Sequence, residues 1–111
     1  MVSENYKNRI KNSIINRFSA MGVDDEETIN ELIKVAIESL EETLSKIDDI
    51  LKGDNLEELG FYTHTIKGIL LNAGLDEDAE SFKEIKHLAE NGKTEEEIKK
   101  ITIERLSIFK G

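Results

Sequence analysis

The sequence contains no cysteine and no proline, and only four Phe and two Tyr in 111 residues. Without cysteine there is no disulfide framework, no thiolate metal site and no cysteine nucleophile. That composition fits a reducing compartment, and a cytoplasmic location is the expectation. Without proline, and with Glu, Lys, Ile and Leu dominant, the chain favours helices over turn-rich sheet. No stretch approaches the roughly 18 consecutive apolar residues of a membrane-spanning helix, and the opening Met1 to Lys7 lacks the apolar centre of a signal peptide. Positive charge is also in short supply. Fifteen Lys and Arg against 24 Asp and Glu give a formal net charge of -9, a field that repels both nucleic-acid phosphates and anionic membranes. Neither is an expected partner.

What is present is a strongly punctuated pattern of apolar periodicity. A chain of 111 residues that is 38% hydrophobic suits one domain with one core. Gly22, Gly53, Gly74 and Gly92 each follow an apolar-periodic segment, where a residue tolerant of the left-handed conformation ends a helix. Asp24, Asp54 and Asp76, and Thr94 with Glu97, supply the matching helix starts. Five helices follow, over Ser3 to Ala20, Asp25 to Lys52, Asn55 to Ala73, Glu77 to Asn91 and Glu95 to Phe109.

The second segment is the most regular. Ile29, Leu32, Ile33, Ala36, Ile37, Leu40, Leu44, Ile47 and Leu51 form one stripe on a long amphipathic helix, a spine for the rest. Helix one, with Ile10, Ile14 and Phe18, carries a thinner stripe that covers one end or side of the core. Short later connections favour antiparallel neighbours. The expected fold is all-α: an up-down four-helix bundle over residues 22–111 with an additional N-terminal helix over 1–21, together one domain spanning 1–111. Its buried core permits a monomer.

The third segment holds the chemistry. At about 100° per residue, Leu59, Tyr62, Ile66, Leu70 and Ala73 share one half of the helix, and His64 points nearly opposite. On its side lie Glu57, Gly60, Phe61, Gly68 and Leu71, with Lys67 on the flank. A glycine inside a helix costs about 1 kcal/mol relative to alanine, so Gly60 and Gly68, one turn to either side of His64, imply space cleared for a partner. Phe61 and Leu71 lack an evident internal partner and propose where that partner lands, although packing beneath helix one is the competing account of both. Imidazole is partly neutral and nucleophilic near pH 7, so a ring nitrogen can attack phosphorus. Lys67 is placed to offset the incoming charge. In-line phosphoryl transfer normally also uses Mg²⁺. This sequence has no nucleotide loop and no metal-ligand spacing, so no cofactor or metal of its own is expected, and Mg²⁺ is expected on an acidic partner.

His64-Thr65-Ile66-Lys67-Gly68, continued by Leu71-Asn72-Ala73-Gly74, resembles the signature of histidine-containing phosphotransfer domains, usually His-x-Leu-Lys-Gly followed at fixed distance by a glycine. With the Lys52-Gly53-Asp54 turn upstream and Leu88-Ala89-Glu90-Asn91-Gly92 downstream, the likeness extends over about Gly22 to Gly92. The resemblance implies that His64 is the phosphoacceptor, Lys67 the charge-balancing residue and Gly68 the position kept small for docking. It also implies response-regulator receiver domains as partners, with a hybrid histidine kinase as a further one. Two departures stand out: Ile69 follows the Lys-Gly pair where many members have Ser or Ala, and the chain has no glutamine to orient the ring as some members do.

The expected function is therefore that of a stoichiometric phosphocarrier in a two-component phosphorelay, without kinase activity of its own. The alternative is a helical interaction module that binds and inhibits a receiver domain or histidine kinase through the same face. A purely structural bundle is the third reading. His87, beside Lys86 and near Glu84 and Glu90, reads as a surface histidine. The acidic runs Asp24 to Glu27 and Glu95 to Glu97 read as first-turn residues that suit the helix dipole. A start at Met1 favours a free-standing protein.

Overall fold

A computed structural model describes residues 2–53, 56–83, 85, 87 and 94–111. They form α1 (Glu4–Ala20), α2 (Glu26–Lys52), α3 (Leu59–Asn72), α4 (Asp76–Glu80) and α5 (Glu95–Leu106), closed by a 3₁₀ turn, Ser107–Phe109. Lys83, Ile85 and His87 are also helical, and no strand occurs among the described residues. The fold is the expected all-helical bundle with an added N-terminal helix.

The ends show why the helices stop and start where they do. Ser3 caps α1 by accepting from the Tyr6 N–H at 3.1 Å, and Thr94 caps α5 by accepting from the Glu97 N–H at 3.2 Å. At α2 the N-cap is Asp25 rather than Asp24; the Thr28 hydroxyl donates to its carboxylate at 2.7 Å and holds that carboxyl below its ordinary range. Gly22 and Gly74 end α1 and α3 with φ of +78° and +83°. In both, the residue after the glycine donates to the carbonyl five residues back, Val23 to Phe18 and Leu75 to Leu70, which is the Schellman arrangement.

Several expected boundaries shift. Gly53 is extended, with φ of -97°, so α2 ends without a left-handed residue; the Lys99 ammonium from α5 covers the Gly53 carbonyl at 3.1 Å. The third helix begins at Leu59, not Asn55, because Leu56 to Glu58 form a turn in which the Leu59 N–H bonds back to Leu56. Asp76 is the first residue of α4, not its cap, which is Leu75. The fourth segment breaks after Glu80: both the N–H and the hydroxyl of Ser81 take the Asp78 carbonyl, a tightening typical of 3₁₀ turns. Asp54, Asn55, Ala89, Asn91 and Gly92 lie outside the described residues.

Burial follows the predicted stripes with informative exceptions. Ile33, Leu40 and Ile47 of α2 meet Leu59, Ile66, Leu70 and Ala73 around α3, with Ala79, Phe82, Ile85, Ile98 and Phe109 completing that side. Tyr62, assigned to the core from periodicity, is only half-buried, whereas Thr63 is fully buried. Thr43, Thr63 and Thr102 enter the interior because each hydroxyl bonds to the carbonyl four residues back, at 2.8, 2.9 and 2.7 Å, so none of the three hydroxyls is left unsatisfied.

Helix α1 is far more embedded than its sparse stripe implies. Val2, Tyr6, Ile10 and Ile14 are all buried. Tyr6 packs edge-on against Phe109 at 4.8 Å, which in turn stacks on Phe82 at 5.7 Å. The Tyr6 hydroxyl donates to Asp78 at 2.8 Å, and burial, reinforced by that carboxylate, pushes its ionisation up. Arg9 closes the cluster, pairing with Asp78 at 3.1 Å and lying over the Tyr6 ring. Helix α1 runs antiparallel to α2, with Lys7 paired to Glu41 and Ile14 and Phe18 beside Leu32 and Ala36.

The two left-handed glycines offer a direct test of this account. A Cβ at Gly22 would meet nothing within 4 Å, whereas one at Gly74 would stand 3.0 Å from the Ser13 hydroxyl. Gly22→Ala should cost about 1 kcal/mol from backbone strain alone. Gly74→Ala should cost more, and Ser13→Ala in the same chain should recover part of the difference. Urea unfolding of wild type and these three variants measures this.

Candidate functional site

Helix α3 positions the site. Leu59, Thr63, Ile66 and Leu70 fix its inner face in the core, and this anchoring turns His64 outward, where it is exposed. The Thr residues on either side of it are tied to their own helix. Thr63 donates to the carbonyls of Leu59 and Gly60, at 2.9 and 3.1 Å, and Thr65 donates to Phe61 at 3.0 Å. Neither hydroxyl competes for the imidazole, which has no hydrogen-bond partner among the described residues.

Along the same face stand Phe61, 68% exposed, and Leu71, 38% exposed. The exposure of Phe61 argues against packing beneath α1, and its ring meets Tyr62 edge-on at 5.1 Å, whereas Leu71 lies where α1 reaches α3 through Arg17. Lys67 is half-buried on the flank, with no ion-pair partner among the described residues. Gly60 is half-buried and its carbonyl is engaged by Thr63.

Gly68 is the informative position. A Cβ built there meets nothing within 4 Å. Close packing against a neighbouring helix is thus not what keeps the residue small, and its helical conformation does not require glycine either, because its φ is not positive. His64, Gly68, Phe61 and Leu71 therefore come together as one solvent-facing strip, with Lys67 at its edge.

The C-terminal end of that strip is held by α1. The Ser13 hydroxyl donates to the Ala73 carbonyl at 2.6 Å, and Arg17 Nη1 donates to Leu71 and Asn72 at 3.0 and 2.9 Å. Sequence reasoning missed both residues. The available signal was that α3 carries no basic residue in its last turn, so its terminal carbonyls had to find donors elsewhere. Beside this junction a groove of about 250 Å³ opens between α1, α2 and α3, lined by Ile14, Phe18, Leu32, Val35 and Ile69 among others.

Among the described residues no group of three His, Asp or Glu side chains gathers to hold a metal ion, and no helix is long and apolar enough to cross a membrane. His87 is exposed and helical. Comparison with curated proteins and with solved structures finds no match. A family model does match: that of the Hpt domain, over residues 31–107. That span covers well over half of the chain and includes His64, Lys67 and Gly68, so the chain belongs to the Hpt family of histidine phosphotransfer domains.

Proposed function

We propose that this chain is a phosphocarrier that exchanges a phosphoryl group between His64 and the aspartate of receiver domains. Hpt domains in general are phosphotransfer modules of phosphorelays rather than catalysts. The observation that carries the reading to these residues is the empty space above Gly68, one turn from an exposed, unpartnered imidazole. It supports the approach of another protein's backbone or side chains to the His64 ring.

In the forward step, the lone pair of one His64 ring nitrogen forms an N–P bond as the P–O bond to the partner's aspartate breaks. The carboxylate leaves with that electron pair, and the proton on the other ring nitrogen is free to pass to water. Lys67 stands one turn along to offset the charge of the bound phosphoryl group. The receiver's acidic pocket would hold Mg²⁺, which would offset charge on the phosphoryl oxygens, with the leaving carboxylate oxygen in line with the attacking nitrogen. Phe61 and Leu71 seat that partner, Gly60 and Gly68 keep the way clear, and the chain works as a monomer in the cytoplasm.

Incubation with a panel of receiver domains phosphorylated by acetyl phosphate tests this. Acid-labile phosphate should appear on the wild-type chain and be absent from His64→Gln. Binding without label would instead support an inhibitor that uses the same face, and no binding at all would leave a structural bundle. Gly68→Ala should raise stability by up to about 1 kcal/mol in urea unfolding, because the new methyl group meets nothing. A bulky residue there should slow transfer, and unchanged transfer would remove the clearance argument. Lys67→Ala should slow transfer while changing unfolding free energy by no more than about 0.5 kcal/mol.

A further inference from the structure

Arg17 differs from the cations that hold the fold together through ion pairs, and resembles Lys99, which likewise donates to a backbone carbonyl. Lys7 pairs with Glu4 and Glu41, Arg9 with Asp78, and Lys52 with Asp48. Arg17 has no carboxylate partner among the described residues. Its Nη1 donates to two neutral carbonyls, those of Leu71 and Asn72, at the end of α3, where the helix dipole contributes only about half a negative charge. A net positive charge remains at that point of the surface. Arg17 is exposed.

Nη1 has two hydrogens, and both are spent on α3. What remains is the Nε–H and Nη2–H edge, two parallel donors in the geometry that grips a carboxylate with two hydrogen bonds. The carbonyls hold the guanidinium in place, so little side-chain freedom is left to lose when that edge is used. Leu71 lies seven residues beyond His64 on the same face, a rise of about 10 Å. Arg17 therefore stands at the foot of the His64 strip, with the unpaired Lys67 between.

We propose that Arg17 is a docking residue whose free edge receives a carboxylate at the rim of the partner's aspartyl-phosphate pocket. The inference rests on the phosphocarrier reading. A pocket that carries an aspartyl phosphate and gathers Mg²⁺ is lined by acidic groups, and a chain of net charge -9 repels such a surface at long range. Approach to His64 then depends on local cations, and Arg17 and Lys67 are two that this face supplies among the described residues. Arg17 lies in α1, outside the matched residues 31–107, so this contact belongs to the part of the chain that the family segment does not include.

The test compares wild type, Arg17→Gln and Arg17→Lys. Gln keeps amide donors for the α3 carbonyls but loses both the charge and the two-donor edge; Lys keeps the charge alone. Second-order transfer rates are measured from whichever phosphorylated receiver labels wild type fastest, at low and high salt, alongside the thermal midpoint of each variant. Arg17→Gln should slow transfer about three- to fivefold at low salt, with the deficit vanishing near 0.5 M salt, and Arg17→Lys should fall between. Equal rates at low salt, or a deficit that is the same at both salt concentrations and follows the thermal midpoint, would reduce Arg17 to a helix cap and overturn the inference. If no receiver labels wild type, the phosphocarrier reading itself fails and takes this inference with it; labelled wild type with an indifferent Arg17→Gln refutes the inference alone.

Discussion

The end of α3 is the junction on which the rest depends. A helix leaves its last carbonyls without internal donors, and α3 has no basic side chain in its last turn to satisfy them. Here each is accounted for: Leu75 serves Leu70, Gly74 and Arg17 serve Leu71, Arg17 serves Asn72, and Ser13 serves Ala73. Two of those donors come from α1. The N-terminal helix is thus part of how the His64 helix is terminated and oriented, not an ornament on a finished bundle.

The same device recurs. Lys99 of α5 covers the Gly53 carbonyl after α2, and Arg105 Nε covers the Ser81 carbonyl after α4, at 3.1 and 3.2 Å. Three helix ends are each closed by a basic side chain from another helix. Such bonds combine a charged donor with the negative pole of a helix, and they fix relative position as well as satisfying backbone.

Much of this was legible in the sequence. The α2 stripe apart from Leu32, which is exposed, the Gly22 and Gly74 stops, the first helix with its Ser3 cap and the outward turn of His64 all follow from spacing and residue type. What escaped had physical causes. Thr43, Thr63 and Thr102 look polar but close their hydrogen bonds locally and so pass as core residues. Tyr6 falls outside the Ile10, Ile14 and Phe18 stripe, yet it is buried with its hydroxyl bonded to Asp78, 72 residues away. Gly53 looked like a left-handed stop, but a lysine from a distant helix does that work. Long-range pairings of this kind leave no periodic trace, and the likeness centred on His64-Thr65-Ile66-Lys67-Gly68 pointed to a candidate site that periodicity alone could only frame.

The bare backbone at Gly68 has a consequence for anyone who evolves or redesigns this chain. The fold places no steric demand on that position, so selection for heat resistance alone would drift towards alanine or larger side chains there. On the phosphocarrier reading, the hardiest survivors would be the poorest messengers. Robustness and signalling would then pull one residue in opposite directions, and a screen blind to signalling would discard the trait it was meant to preserve.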